Sequence, residues 1–382
     1  MPCRSTVTTT IEEKYSQCVG AVLKMLSNAN DVAFTCDAVT ISNSSRSFLT
    51  ITAHFIEKDS LNSICLAALR MNQSHTSEYV NTLLEEACAE FNIDKMKWTT
   101  LTTDSASNMK CAAKLFLGLN KHVPCFAHSI NLVVDETIKE ICSFSSIVDK
   151  IKRVVMQFKH SPAMMDQLRK AQTDEGIPEG KIKTLIQNVD TRWNSCLDMM
   201  ESFLGLANKV ALILLNKSER VKGLPEMLNV SELTICRDLC SLLQPFKKAT
   251  EQISGENYVT ISDVPKPEDV FDDFMSAHNN SITKELSGVS EQNKELKLYF
   301  SLPQASWECN PLEVWKSHRA TMPGLYKMAM RHLITPGSSV PSERLASAIK
   351  CVVCDARSRM TDIHIKQRVF LKSLNSDNWD LC

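Results

Sequence analysis

Apolar residues recur at Ile11, Tyr15, Val19, Val22 and Leu23, a helical spacing that predicts a leading helix within residues 1–30. The period then shortens. Residues 32–41 and 48–56 are dense in β-branched and aromatic side chains and flank the turn-type run Ser-Asn-Ser-Ser-Arg-Ser at 42–47, which predicts a hairpin. A third apolar run, 64–71, reads either as the strand that completes an antiparallel meander or as a short helix. A helical pattern over 77–91 and a strand over 98–103 ending on Asp104 come next. A helix to about Leu117, a short strand at 122–125 and helix throughout 126–155 complete an α/β first half.

From about residue 146 to 300 the pattern is almost wholly helical, interrupted by the polar stretch 188–195 and clearest over 203–215 and 233–246. A Pro-punctuated break at 262–271 and a charged, exposed joint at 287–297 mark domain edges. Helices at 311–316 and 322–333 then lead into Thr335-Pro-Gly-Ser-Ser-Val-Pro-Ser-Glu-Arg-Leu345. This loop is expected to be followed by a helix beginning near Glu343, capped by Ser338 or Ser342, with the carboxylate in its first turn. Residues 363–374 close the chain, and no internal repeat is seen. The implied division is a leading helix at 1–30, an α/β part at 31–145, a helical part at 146–293 and a C-terminal region at 294–382.

With 382 residues, 43% hydrophobic and 23% charged, the chain is expected to hold two or three globular domains. No apolar run approaches the length of a membrane helix, and the first residues are too polar for a signal peptide, so an intracellular protein is expected. The 15 cysteines, irregularly spaced, read mostly as free, buried thiols of a reducing compartment. A net charge of -1 gives no global field for nucleic acid, so DNA binding would need a local face or a further module.

Candidate chemistry lies in the carboxylates. Asp37 sits amid an apolar strand, where a charge is costly unless paired or bound to a metal. If Asp37 and Asp104 stand on neighbouring strands and Glu343 on a helix laid across the same sheet, three carboxylates converge. Such a cluster calls for hard divalent cations, Mg²⁺ or Mn²⁺, which suit in-line displacement at a phosphodiester.

Seven landmarks in order resemble those of hAT-superfamily transposases, and especially the zinc finger BED domain-containing proteins derived from them. They are the segment around Asp37, Thr102-Thr-Asp-Ser-Ala-Ser-Asn-Met109, Cys125-Phe-Ala-His-Ser-Ile-Asn-Leu132, Asp190-Thr-Arg-Trp-Asn-Ser195, the stretch 254–262, Asn310-Pro-Leu-Glu-Val-Trp-Lys316 and Ser338-Ser-Val-Pro-Ser-Glu-Arg-Leu345. The resemblance implies an α/β fold whose RNase H-like mixed sheet is interrupted by an all-helical insertion, with C-terminal helices carrying a dimerisation region. Residue by residue, it implies an acidic triad of Asp37, Asp104 and Glu343 using Mg²⁺ or Mn²⁺, and an Arg192–Trp193 pair that handles a DNA end. Trp193 reads equally as a core residue at a helix start. Cys125 and His128 match a Cys-x-x-His feature read as bracing the core. With Cys351 and Cys354 they are zinc-type ligands, but the resemblance implies no zinc. Trp315 and Leu325 are expected in a homo-oligomeric contact, with a DNA or chromatin partner, a nuclear location and no membrane.

Departures point away from an intact transposase. The resemblance starts where a BED finger would end, and the helical portion after residue 262 is short. Ala346-Ser-Ala-Ile-Lys350 replaces the expected Phe-Ser-Ala-Ala-Gly, and Val39 replaces an aromatic residue. The expectation is a non-transposing nuclear protein that keeps fold and dimer interface. The alternatives are a residual Mg²⁺-dependent nuclease or strand-transferase, or a decayed element copy.

Overall fold

A computed structural model describes residues 3–41, 45–189, 193–218, 223–255, 259–260, 294–303, 305–306, 309–353 and 360–374. They form two compact units, one from residues 1–128 and 251–382, the other from residues 129–250.

The first unit is a mixed α/β body around a five-stranded sheet. After α1 (Arg4–Asn28), the strands β1 (Val32–Ile41), β2 (Arg46–Glu57) and β3 (Ser60–Met71) run as an antiparallel meander. Following α2 (Ser77–Glu90), β4 (Trp98–Thr103) lies parallel to β1, and β5 (His122–Pro124) lies beyond it after α3 (Ser107–Leu117). The sheet order is β3-β2-β1-β4-β5. Run 64–71 is therefore strand, and it begins earlier than its apolar stretch, because Lys58 and Asp59 turn the chain at φ 50° and 62°. That geometry is usually marked by Gly or Asn, so the tight hairpin carried no sequence signal.

Both faces of the sheet are covered, for different reasons. Val32, Phe34 and Cys36 of β1 and Leu49, Ile51, Ala53 and Phe55 of β2 form an apolar face, packed by Val22 and Leu26 of α1, Leu84 and Ala87 of α2, and Ala112 and Phe116 of α3. Each fully buried large side chain there is worth about 1.5–3 kcal/mol. Phe34 lies edge-on to both Trp98 and Phe116, which stack at 4.3 Å. The opposite face carries Thr35 and Asp37 of β1, paired in register with Thr52 and Thr50 of β2, and His54, which pairs with Ala33. A bulge in β4 takes the pairing from Val32↔Trp98 to Phe34↔Leu101 and Thr35↔Thr102, placing Thr102 beside Thr35. On this second face, Ile41 and Phe48 pack with Leu345 and Ile349 of the helix Val340–Val352 and Ile365 and Val369 of the helix Asp362–Ser373.

The other unit is helical, and its core joins Ile151, Val155 and Phe158 of α5 (Cys142–Lys159), Leu168 of α6 (Pro162–Thr173), Leu197 and Phe203 of α7 (Trp193–Leu204), Val210 of α8 (Ala207–Ser218) and Cys236 and Leu239 of α9 (Val230–Ile253). Three sequence expectations need correction. Residues 126–155 are two helices, α4 (Phe126–Glu140) and α5, with Ile141 in extended conformation between them. Stretch 203–215 is broken after Leu204, where Gly205 and Leu206 separate α7 from α8. The charged joint at 287–297 is helical from Lys294 within Lys294–Ser301. The compact helical unit begins at Ser129, within α4, which gives Ala127 to one apolar cluster and Ile130, Val134 and Ile138 to another. The break at 262–271 lies outside the described residues. Among the described residues no helix is long and apolar enough to cross a membrane.

Candidate functional site

The site is built where a loop is buried against the threonine-bearing face. Ile334 to Ser339 are all buried, as are Pro341 and Ser342. A buried loop must find partners for its backbone polar groups, and side chains supply them. Thr102 Oγ1 donates to the Pro336 carbonyl (2.9 Å), and the Thr100 and Thr335 hydroxyls pair at 2.9 Å. The Gly337 N–H donates to Thr260 Oγ1 (2.9 Å), and its carbonyl accepts from the Phe126 N–H (3.0 Å). Ser338 Oγ donates to the Ile253 carbonyl, and the Ser339 N–H points to Cys125 Sγ. The loop is close-packed at Gly337, where a Cβ would lie 3.2 Å from both Ile253 Cγ1 and the Thr260 carbonyl oxygen and its neighbours would have to give by a few tenths of an ångström.

The helix carrying Glu343 starts at Val340, three residues earlier than its sequence suggests, with Pro341 in its first turn. Neither Ser338 nor Ser342 caps it. Ser338 is turned to Ile253, and the Ser342 hydroxyl lies 2.7 Å from Thr35 Oγ1 and 3.3 Å from Thr52 Oγ1. Thr35 Oγ1 is in turn 3.3 Å from His54 Nε2. Burial alone lowers the His54 pKa to about 3 and holds the ring neutral.

Two rows of residues thus cross the sheet. The first is Thr52, Thr35 and Thr102, all buried. The second, two residues on along β1 and two residues back along the antiparallel β2, begins with Thr50 and Asp37, which are direct partners. The parallel pairing of β1 with β4 reaches Thr35↔Thr102, and Asp104 directly follows the end of β4 at Thr103. Asp37, Asp104 and Glu343 are each half-buried. The Cys36 thiol is pushed up, mainly by burial and further by Asp37 and Asp104. Burial also raises Cys125, opposed by hydrogen bonds from Ser339 and His128, with Glu343 adding to the rise. Asp37 lies on β1, Asp104 directly follows the end of β4, and Glu343 lies in the first turn of the helix Val340–Val352. Their oxygen donors suit a hard divalent cation by chemistry, yet among the described residues no group of three or more His, Cys, Asp or Glu is gathered to hold a metal ion.

Cys125 is fully buried and accepts the backbone N–H of His128 at 3.4 Å and of Ser339 at 3.3 Å, so one sulfur meets the N-terminal turns of two helices. His128 itself is half-buried. In the helical unit Trp193 is 5% exposed within the apolar cluster, and its backbone N–H donates to Asn131 Oδ1. Arg192 and Cys354 lie outside the described residues, and Cys351 is exposed. Trp315 stacks on Tyr299 at 5.6 Å and 15°. Leu325, half-buried, opens the helix Pro323–Leu333, where the Glu295 carboxylate accepts the N–H groups of Gly324 (3.2 Å) and Leu325 (2.8 Å).

Sequence reasoning missed Ser342, His54 and the threonines. A signal was present: Thr35, Thr50, Thr52, Thr100 and Thr102 are hydroxyls placed in strands that are otherwise apolar. Its meaning depends on the β4 bulge, which only the register reveals.

Comparison with known proteins bears on residues 123–242, which match the ZBED1 RNase-like helical domain, and on residues 295–374, which match the hAT family C-terminal dimerisation region. Among similar proteins is human zinc finger BED domain-containing protein 4, 21% identical over 87% of this chain and 36% of its own length. The putative AC transposase of Zea mays is 26% identical over 56% of this chain and 27% of its own. The transposable element Hobo transposase of Drosophila melanogaster is 27% identical over 50% of this chain and 27% of its own. The chain thus spans only about a third of the length of the first of these relatives, 36%, and less of the others. Two family regions therefore match in sequence order, with transposases and zinc finger BED domain-containing proteins both among the similar proteins, so the chain is similar to hAT-superfamily transposases and proteins related to them.

Proposed function

We propose that this chain acts as a domesticated, non-transposing hAT-derived protein that self-associates through residues 295–374 and works with DNA or chromatin in the nucleus. The match of that segment to a dimerisation region carries the reading. Self-association would use the surface near Trp315 and Leu325, where Leu298, Tyr299, Phe300 and Met328 are exposed apolar side chains. The strand order, with three antiparallel strands followed by two parallel ones, supports an RNase H-like core used as a scaffold. Sedimentation at micromolar concentration tests the central claim: a dimer is expected, and a monomer throughout would overturn it.

A second reading is favoured by one observation, the parallel pairing of β1 with β4 up to Thr35↔Thr102, two residues before Asp37 and Asp104. Asp37, Asp104 and Glu343 would hold Mg²⁺ or Mn²⁺, and the bound cation would supply charge stabilisation to a phosphodiester. Arg192 and Trp193 would then serve a cleaved DNA end, and Cys125 and His128 would brace the core. Cleavage of DNA in the presence of Mn²⁺, compared between the wild type and Glu343→Gln, decides this reading. Activity lost in the variant supports it, and equal or absent activity in both removes it.

A further inference from the structure

A cleft in the first unit is lined, among the described residues, by two cations and no carboxylate. It has a volume of about 330 Å³ and lies between β2 and β3 on one side and the helices Val340–Val352 and Asp362–Ser373 on the other. The register of the sheet explains why the space exists. Thr52 pairs with Cys65 and the preceding Ile51 with Ala67, so Leu66 is passed over in a bulge. Ala68 and Cys65 therefore share the face that meets Leu345 and Ile349, although they are three residues apart. Strict alternation from Ala68 would have turned Leu66 and Ile64 to that face. The bulge sends both to the apolar core on the reverse side, and Cys65 and Ser63 line the cleft instead. With Ala348 and Ser347 on the helix opposite, these small side chains leave open a volume that branched aliphatic ones would fill.

The floor is buried at Thr52, Cys65 and Leu345, whereas Arg344, Ser347 and Lys372 are exposed, so the cleft meets water at a rim that carries both cations. Arg344 is restrained before any ligand arrives, because its Nη2 donates to the Ser254 carbonyl at 2.9 Å. Lys372 comes from the last turn of the other helix. In a chain of net charge -1, two cations around one small space make a local field for an anion. A guanidinium fork and an ammonium both suit phosphate oxygens, and the Ser63 and Ser347 hydroxyls are further donors. Among the described residues no aromatic ring lines the cleft, so nothing there would stack on a base, while Pro341, Leu345 and Ala348 offer hydrocarbon to an aliphatic chain. We propose that this cleft binds a phosphate monoester carried on a short aliphatic body, with Arg344 and Lys372 taking the phosphate.

The test is calorimetric titration of the full chain with glycerol 3-phosphate, beside glycerate, which carries a carboxylate in place of the phosphate, and dimethyl phosphate, a diester. Glycerol 3-phosphate is expected to bind, and the other two to bind about tenfold more weakly or worse, since each offers fewer charged oxygens to the same donors. Lys372→Gln and Arg344→Gln are each expected to weaken glycerol 3-phosphate by about tenfold or more, the effect of losing a charged hydrogen bond. Arg344→Gln also loses the bond to Ser254, so Lys372→Gln, at an exposed position, carries the decision. Lys350→Gln is the control, exposed on the same helix but outside the lining, and should bind like the wild type. Ala348→Leu fills the space at constant charge and should abolish binding, with its unfolding temperature showing that the fold is kept. No binding by the wild type at millimolar concentration overturns the proposal. Equal losses in Lys350→Gln and Lys372→Gln, or full binding by Ala348→Leu, also overturn it, because the anion is then attracted to the surface at large. Glycerate or dimethyl phosphate binding as tightly as glycerol 3-phosphate overturns the assignment to a monoester.

Discussion

The two faces of β1 differ in how they hold what covers them. Phe34 and Val32 meet α1, α2 and α3 through hydrocarbon and aromatic contact, whereas Thr35 on the reverse side meets the C-terminal segment through a hydroxyl aimed at one atom of Ser342. Apolar contact is strong but tolerant of small slides. A hydrogen bond between buried hydroxyls is weaker and fixes direction. The contrast teaches that adhesion and registration are separated in this sheet: one face supplies most of the stability, the other places a distant segment, residues 335–342, over the ends of β1 and β4.

The largest expected effect breaks the apolar face. Phe34→Ala removes a ring that is 0% exposed and touches Trp98 and Phe116, and should lower stability by about 3–5 kcal/mol in urea unfolding. Next comes acid, which acts on the other face. The folded His54 ring has a pKa of about 3, below its ordinary 6.5, so between these values the unfolded chain binds a proton that the folded chain refuses. The His54 contribution is complete above about pH 6.5 and is lost as pH falls toward 3, by about 1.4 kcal/mol per unit. A His54→Gln variant should show a shallower acid slope than the wild type over pH 4–6.5. Third, Gly337→Ala should lower stability by about 2 kcal/mol, since the new methyl meets Ile253 and the Thr260 carbonyl in a filled space. The smallest effect belongs to Thr102→Val, about 1 kcal/mol, through loss of its bond to the Pro336 carbonyl. Faster exchange in that variant should be confined to the loop, and exchange rising equally in α1 and α2 would erase the distinction between the two faces.

The strands and most helices of the first unit were legible because their periods are strong: β-branched runs gave β1, β2 and β4, and helical spacing gave α1 and α2. What escaped reading depended on tertiary fit. Lys58 and Asp59 make a tight turn without the residues that advertise one, and Gly205 separates two helices whose apolar patterns run together. Ser338 and Ser342 look like helix caps because both precede Glu343, yet a buried loop and a facing row of threonines offered them partners elsewhere. Ala346 and Ile349, departures from the family pattern, are accommodated as buried residues of the Glu343 helix, Ile349 against the strand face, while Lys350 points to solvent. The sheet does make β1, which carries Asp37, and β4, which Asp104 follows, neighbours, but the contact of Thr50 with both Asp37 and Ser342 was not foreseeable, because no local pattern links residues so far apart.

The Glu295 carboxylate seated on the first turn of Pro323–Leu333 has an evolutionary corollary. A Cβ at position 324 would stand 3.0 Å from a Glu295 carboxylate oxygen, the far end of a flexible side chain that can swing aside. Change at 324 is therefore tolerated at the cost of a small readjustment, whereas loss of the acid at 295 removes both acceptors from the first turn, so of the two positions it is the acid that the helix start depends on.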